Sequence, residues 1–326
     1  MQHASRRSFV SGRLAPAVFV LALAASTARA DDAMEWLTRA AQAARQLNYL
    51  GTIIYQIGPR VESSRITHLN DGGREFSKLV NLDGPAREVV RSQGEVRCYY
   101  PDAKLMRIEP GTFRNVFPSL LPEQQQSLSR FYEFRVVGDD RVGGRPVQVV
   151  VFEPKDGLRY GHRFWSDAAT GLLLKARVVN ERGDGVEQFA FSDLTINANI
   201  DRSMVEPSWP TVPGDWQVLE RASGDVVPQD TGWMVTRVPP GFAKIMEGFR
   251  KLRGRRERVA HLVFSDGLVS VSVFVEPHVA ASAPAGFIHQ GGLNVYSIRQ
   301  DDHLITVMGE TPGATVRQIA HSVVHR

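Results

Sequence analysis

Six cations crowd into nine residues of this chain: Arg250, Lys251, Arg253, Arg255, Arg256 and Arg258, opposed within the run only by Glu257. Charges at that density repel one another unless water or anions separate them. The run therefore reads either as a solvated loop, kept mobile by Gly248 and Gly254, or as a contact for an acidic peptide or a phosphorylated lipid head group. Other reactive residue types are sparse. His321 and His325 lie four apart, the spacing that sets two imidazoles on one helix face. Two ligands at a fraying terminus make a poor metal site, so solvent exposure is expected. Asp139-Asp140 and Asp301-Asp302 fall in turn-like stretches, where short acids serve the backbone. Cys98 is the only cysteine and reads as a small buried hydrophobe, with a reactive thiol or an intermolecular bridge as the alternatives. There is no Gly-rich phosphate loop, Cys-x-x-Cys, His-Glu-x-x-His or Gly-x-Ser-x-Gly stretch. No cofactor or metal is implied, and an enzyme is unsupported.

The first thirty residues set the compartment in which these groups would act. Arg6, Arg7 and Arg13 precede a short apolar run over 14–25, and Ala28-Arg29-Ala30 is a small-x-small cleavage site. The run is too short for a stable membrane anchor. No cysteine follows the cut, which speaks against a lipid anchor, and the mature chain is expected to begin at Asp31, outside the cytoplasm. Ser5-Arg6-Arg7-Ser8-Phe9 also resembles a twin-arginine export motif, so the export route stays open. The full chain holds 39 basic and 35 acidic residues; removing residues 1–30 takes away four basic ones and no acid, which leaves 35 against 35. A globally basic nucleic-acid binder is thereby disfavoured.

The elements that would position any site follow from periodicity. Met34, Leu37, Ala41, Ala44 and Leu47 recur at helical spacing after a cap at Asp32. At Tyr49 the period drops to two, and strands are predicted over 49–57, 62–68, 75–82, 87–92, 95–100 and 105–109. Residues 118–131 predict a short amphipathic helix or two helical turns. Strands resume over 134–137, 146–153, 159–165, 172–180 and 186–196, joined by Gly- and Asp-rich turns. Sequential hairpins of this kind predict a large curved antiparallel sheet or open barrel over 31–200, with the two helical segments across its concave face. Such a sheet can enclose an apolar cavity or a filled core, and periodicity does not separate the two. Pro207, Pro210 and Pro213 mark a linker over 201–215, flanked by Trp209 and Trp216. A second, smaller α+β unit is expected over 216–326. Its strands are predicted over 216–221, 233–238, 259–264, 268–275, 293–300 and 303–309, and a final helix starts at Pro312 with Val316, Ile319, Ala320, Val323 and Val324 on one face.

Several stretches, in order, resemble the RseB/MucB family of periplasmic stress regulators. They are Asp83-Gly84-Pro85-Ala86-Arg87-Glu88-Val89-Val90, Val137-Gly138 with Arg141 and Arg145, Asp156-Gly157-Leu158-Arg159-Tyr160, Phe164-Trp165-Ser166-Asp167 and Glu187-Gln188-Phe189. Pro239-Pro240-Gly241-Phe242 and Phe264-Ser265-Asp266-Gly267-Leu268 follow in the second unit. No single stretch is specific; their order and spacing are. The resemblance implies a predominantly antiparallel α+β fold. Its large domain would be a half-open barrel like that of LolA-type lipoprotein carriers, with an apolar cavity and helices across the mouth. The small domain would mostly carry the contact to the periplasmic domain of a membrane-bound anti-sigma factor. Binding would shield that partner from proteolysis, and lipopolysaccharide or lipoprotein acyl chains would release it. The same resemblance implies a periplasmic location and no catalytic residues; self-association into a homo-oligomer stays open. No family role carries over to 250–258. The alternatives are a periplasmic lipid or lipoprotein carrier and a hydrolase with an unrecognised site.

Overall fold

The computed structural model describes residues 21–92, 94–111, 116–121, 125–220, 226–251, 257–278 and 285–326. Arg6, Arg7 and Arg13 of the expected export segment lie outside the described residues, as do Arg253, Arg255 and Arg256 of the basic run.

The first helix, α1, runs Leu21–Gln46 without a break. Asp32 therefore does not cap it, contrary to the expectation: the Ala- and Leu-rich stretch before it has high helix propensity and carries the helix through. Ala33, Leu37, Ala40 and Ala44 are buried along one face, while Met34 and Ala41 flank them. Leu37 and Ala44 of the predicted stripe are buried as expected, while Ala33 and Ala40 are more deeply buried than Met34 and Ala41 beside them.

Two meanders build the large sheet. β1 (Tyr49–Ile57), β2 (Arg60–Asp71), β3 (Arg74–Asn81), β4 (Glu88–Ser92), β5 (Glu95–Tyr100) and β6 (Leu105–Pro110) make the first. β7 (Tyr132–Val142), β8 (Arg145–Pro154), β9 (Gly161–Asp167), β10 (Leu173–Val179) and β11 (Gly185–Ile196) make the second. The tight turns have the expected chemistry: Gly72 and Gly73 take φ of 60° and 86°, and Gly143 and Gly144 take 54° and 78°. Two successive positive φ values match the twist of the flanking strands, and only glycine adopts them freely. The meanders join where β1 pairs with β11, Tyr49 opposite Ile196 and Ile57 opposite Glu187. α1 lies against β7, β8 and β10. Among the described residues of 118–131, where a helix was predicted, Gln125–Arg130 forms a 3-10 segment whose Leu128 is fully buried in the same core.

A twelfth strand, β12 (Gln217–Glu220), runs parallel to β6 at the edge of this sheet. It was expected in the second unit. Its placement follows from the linker, whose tryptophans are committed to the large sheet: Trp209 stacks on Tyr99 at 5.8 Å and meets Trp216 at 5.5 Å. The sheet's edges, β12 and β7, do not pair with each other, so the curved sheet is half-open and not a closed barrel.

Among the described residues the smaller domain carries a seven-stranded sheet in the order β13-β15-β16-β17-β20-β19-β18. These are β13 (Val226–Pro228), β15 (Ala243–Lys251), β16 (Arg258–Ser265), β17 (Ser270–Glu276), β18 (Gly286–Gln290), β19 (Leu293–Gln300) and β20 (His303–Gly309). A two-stranded ribbon pairs β14 (Trp233–Val235) with β21 (Val323–His325). The last helix, α2, is short, Gly313–Ala320, and packs on β19 and β20. Val323 and Val324 belong to β21, not to the helix: β-branched residues fit the ribbon facing Val235 and Met234. β15 was not anticipated, because its charges obscured its alternation. Gly248 lies within it opposite His261, so it is not a hinge of a mobile loop.

Candidate binding cleft between the domains

Register sets the floor of the site. Phe152, His162, Val178, Glu187 and Ile57 face one another across β8, β9, β10, β11 and β1. Phe164, Ala176, Phe189, Tyr55 and Glu62 form the next row on the same face, since alternate residues of a strand share a face. Ile53, Ile66, Leu79 and Val89 continue the floor toward β4. Phe117 and Leu120, from the segment before the 3-10 turn, cover part of it, and Leu268, Ser272, Leu293, Met308 and Glu310 of the smaller domain close it from the other side. The cavity, partly open to solvent, measures about 720 Å³, within the range of roughly 300–1,000 Å³ usual for small-molecule sites. A cavity thus lies between the curved sheet and the smaller domain, beside a packed core in which α1 and the 3-10 segment cover the sheet.

The polar groups in this wall are held in perturbed states. Glu187 is buried, and its carboxyl pKa is pushed up to about 7, first by burial and then by the charge of Glu310; a hydrogen bond from Tyr55 pulls it partly back. Glu310 retains open surface toward the cleft, yet enough protein surrounds it to raise its carboxyl as well. Burial and the neighbouring Glu187 raise the Tyr55 hydroxyl. Across the floor, burial lowers the Arg91 guanidinium. Burial also pushes His162 down to about 4, and its Nε2 is buried without a hydrogen-bond partner.

A buried ion pair fixes one domain on the other. Arg159, just before β9, donates its Nε to Asp266 Oδ2 at 2.9 Å, and both side chains are 0% exposed. Tyr132 donates its hydroxyl to the same oxygen at 3.2 Å. Asp266 Oδ1 accepts the backbone amides of Leu268 and Val269 at 3.0 and 3.1 Å, which shapes the β16–β17 turn. The remaining guanidinium nitrogens reach Asp156 and the Pro240 carbonyl. The plane lies near the rings of Phe131 and Phe242, 4.8 and 5.0 Å to the centroids. Gly241, at φ 86°, permits this approach, since a Cβ there would lie 2.4 Å from the Phe131 ring. Two further contacts cross the boundary: Asn294 Nδ2 donates to Tyr160 Oη at 2.9 Å, and Thr315 Oγ1 to the Leu158 carbonyl at 2.8 Å.

The three stretches 156–160, 239–242 and 264–268, far apart in sequence, therefore meet at this one contact. Nothing in the three stretches taken singly marks them as neighbours; the contact comes from the fold. Glu187 and Phe189 of a fourth stretch line the cavity. The described residues of the basic run lie elsewhere. Arg250 and Lys251 end β15 and Arg258 opens β16, and none of the three lines the cleft. Glu257 pairs with His278 at 3.0 Å. Cys98 is buried, and that burial raises its thiol pKa, as expected of a packing residue. Asp139 and Asp140 lie within β7 and not in a turn; Asp140 accepts the indole N–H of Trp165 at 2.9 Å. His321 and His325 are exposed, and among the described residues no group of three or more candidate ligands gathers for a metal.

A half-open sheet, a second domain keyed to it by a buried ion pair, and a mostly apolar cleft between them define a two-domain binding protein. Comparison with known proteins makes this more specific. The family model for the MucB/RseB N-terminal domain matches residues 32–209, and that for the MucB/RseB C-terminal domain matches residues 227–324. The chain belongs to the MucB/RseB family. It is 31% identical over 313 residues to the sigma factor AlgU regulatory protein MucB of Pseudomonas aeruginosa, covering 92% of this chain and 93% of that protein. It is 29% identical over 285 residues to the sigma-E factor regulatory protein RseB of Salmonella typhimurium, covering 87% and 88% of the two. A crystal structure of MucB in complex with MucA(peri) superposes with a TM-score of 0.72 at 31% identity, over 90% of this chain and 99% of that one. A crystal structure of MucB gives 0.61 at 28% identity, over 91% and 98%.

Proposed function

We propose that the protein is a non-catalytic regulator of an envelope-stress sigma factor. It acts in the periplasm by binding the periplasmic domain of a membrane-bound anti-sigma factor and masking it from proteolysis. The observation that carries this reading is likeness over nearly the whole chain to a protein crystallised with such a partner, MucB with MucA(peri). The cleft supports a second half of the proposal: acyl chains of lipopolysaccharide or lipoprotein occupy the cavity and weaken partner binding. A ligand shifts the complex only if it binds the free regulator better than the bound one. A cavity walled by both domains is suited to that, because occupancy and domain placement are then linked. Arg250, Lys251, Arg253, Arg255, Arg256 and Arg258 supply a cationic strip that meets acidic groups of the partner or lipid phosphates. Neutralising Arg253, Arg255, Arg256 and Arg258 together weakens the binding of one of these ligands and flattens its salt dependence; unchanged binding of both removes the strip from the account.

The alternative is a periplasmic lipid or lipoprotein carrier, favoured by the apolar cavity itself. Deletion of the smaller domain separates the two. A carrier keeps its activity if the large sheet remains folded, whereas a regulator loses its partner.

A further inference from the structure

The charged groups of the cleft sort to opposite ends of an apolar floor. At one end the strand β4 turns Val89 and Arg91 toward the cavity, with Arg87 just before it on the same face, since alternate residues share a face. Arg87 and Arg91 are four residues apart, about 13 Å along the strand, and buried Val89 lies between them. The neighbouring strands add neutral donors. Asn81 of β3 gives its backbone amide to the Arg87 carbonyl at 2.9 Å, and Ser64 of β2 is its register partner. Both line the cavity. Ser64 Oγ donates to Asn81 Oδ1 at 3.4 Å, which leaves Asn81 Nδ2 free to donate to a ligand.

These cations lack a counter-charge. Among the described residues neither Arg87 nor Arg91 is in an ion pair. Arg87 is exposed and reaches only the Cys98 thiol, a weak acceptor. Arg91 is half-buried, and Cys98, Arg87 and Tyr49 are the groups whose charge acts on it, with no carboxylate among them. Glu109, two strands away on the same face, is not one of them. Elsewhere on the wall, Glu62 pairs with Arg60, and Arg177 is engaged by Gln188 at 3.0 and 2.6 Å. Glu187 stands at the far end, on β11, four strand spacings from β4 and roughly 19 Å across the sheet. Glu310 of the smaller domain acts on Glu187 and Tyr55 and so belongs to that end. Between the two ends the floor is Ile53, Ile66 and Leu79, one from each intervening strand.

A half-buried guanidinium without a carboxylate is a ready partner for an anion, and charge-assisted hydrogen bonds of this kind are the strong ones. The carboxyls at the far end disfavour an anion there. The wall thus has a direction. We propose that Arg91 and Arg87, with Asn81, form an anion-holding corner that takes the phosphate or carboxylate head of an amphiphile, whose alkyl chain runs over Leu79, Ile66 and Ile53 toward Phe189. This rests on the reading of the cleft as a lipid site and adds to it the charge of the head group and the direction in which the ligand lies. The corner is separate from the basic strip, none of whose described residues lines the cleft.

The test is calorimetric titration of the intact two-domain chain with dodecyl phosphate, with uncharged dodecyl maltoside and with inorganic phosphate, each amphiphile kept below its micelle concentration. The same titrations are made with Arg91→Gln and Arg87→Gln, and with Arg299→Gln, an exposed position outside the cavity wall, as the control for lost charge. Circular dichroism confirms the fold of each variant. The corner predicts that dodecyl phosphate binds about tenfold tighter than the maltoside or better. Arg91→Gln should remove most of that preference and leave maltoside binding unchanged, while Arg299→Gln changes neither. Equal binding of the two amphiphiles overturns the corner and leaves the lipid site standing; no binding of either by folded protein removes both. Inorganic phosphate that binds as tightly as dodecyl phosphate makes this a site for the free anion and overturns the amphiphile. Variants that keep their dodecyl phosphate affinity but lose the anti-sigma segment give the corner to an acidic peptide and overturn it too. Arg87→Gln, at an exposed position, keeps the test decisive if Arg91→Gln fails to fold.

Discussion

Replacing Asp266 with asparagine removes one charge from the contact that joins the domains and leaves its shape intact. Oδ1 can still accept the amides of Leu268 and Val269, so the β16–β17 turn is retained. What changes is the face toward Arg159, where an acceptor 2.9 Å from Nε becomes an N–H donor. Both side chains are fully buried, and stripping one partner from a buried ion pair costs about 3–5 kcal/mol. Asp156, 30% exposed, and the Pro240 carbonyl still hold part of the guanidinium. The lower end, about 3 kcal/mol, is therefore expected. Equilibrium urea unfolding followed by circular dichroism reads this as a midpoint lowered by about 1 M, for a slope near 3 kcal/mol/M. Adding Arg159→Met should restore at least about 1.5 kcal/mol, because the stranded charge is gone and its apolar stem still packs by Phe131 and Phe242. A loss below about 1 kcal/mol for Asp266→Asn, or no recovery in the double variant, refutes the reasoning that this pair couples the domains.

Other perturbations follow from the same contacts. Gly241→Ala strains a φ of 86° and drives a Cβ into the Phe131 ring, so it should destabilise by about 2 kcal/mol, measured by thermal unfolding. Leu37→Ala empties a fully buried position on α1 and should cost about 2–5 kcal/mol; a smaller loss would mean that α1 does not seal the core. His162 and His261 both have pKa values pushed down to about 4 by burial. The unfolded chain takes up these protons near pH 6.5 and the folded chain does not until about 4. Stability should therefore fall as pH drops through that window, and His261→Phe, whose ring would stack on Phe274 as the imidazole does at 4.2 Å, should flatten the fall.

Most of the large sheet is legible because its signals are local. Tyr49–Ile57 alternates and ends at Gly58-Pro59, and the Gly-Gly pairs at 72–73 and 143–144 fix their hairpins without reference to the rest of the chain. The failures share a cause of the opposite kind. β12 joins the large sheet by pairing with β6, more than a hundred residues earlier, and four residues of strand carry no sign of their partner. β15 hides its alternation under Lys244, Glu247, Arg250 and Lys251. α1 passes through Asp32 because a strong helix former precedes it, which a capping rule applied at one position does not weigh. The cleft is the clearest case. Periodicity marks 49–57, 159–165 and 186–196 as strands, but that Ile53, Phe164 and Phe189 share a face follows from register, and whether that face is filled depends on how the second domain sits. That seating rests on Arg159 and Asp266, 107 residues apart. Each was visible as part of a family-like stretch; that the stretches touch was not.

The proposed regulator holds a periplasmic anti-sigma segment and yields it to lipid. The direct test is calorimetric titration of residues 31–326 with the periplasmic segment of the host's anti-sigma factor, alone and with lipopolysaccharide present. The account predicts tight binding that weakens when lipid is added. No binding by folded, lipid-free protein would contradict it and turn the cleft into that of a carrier.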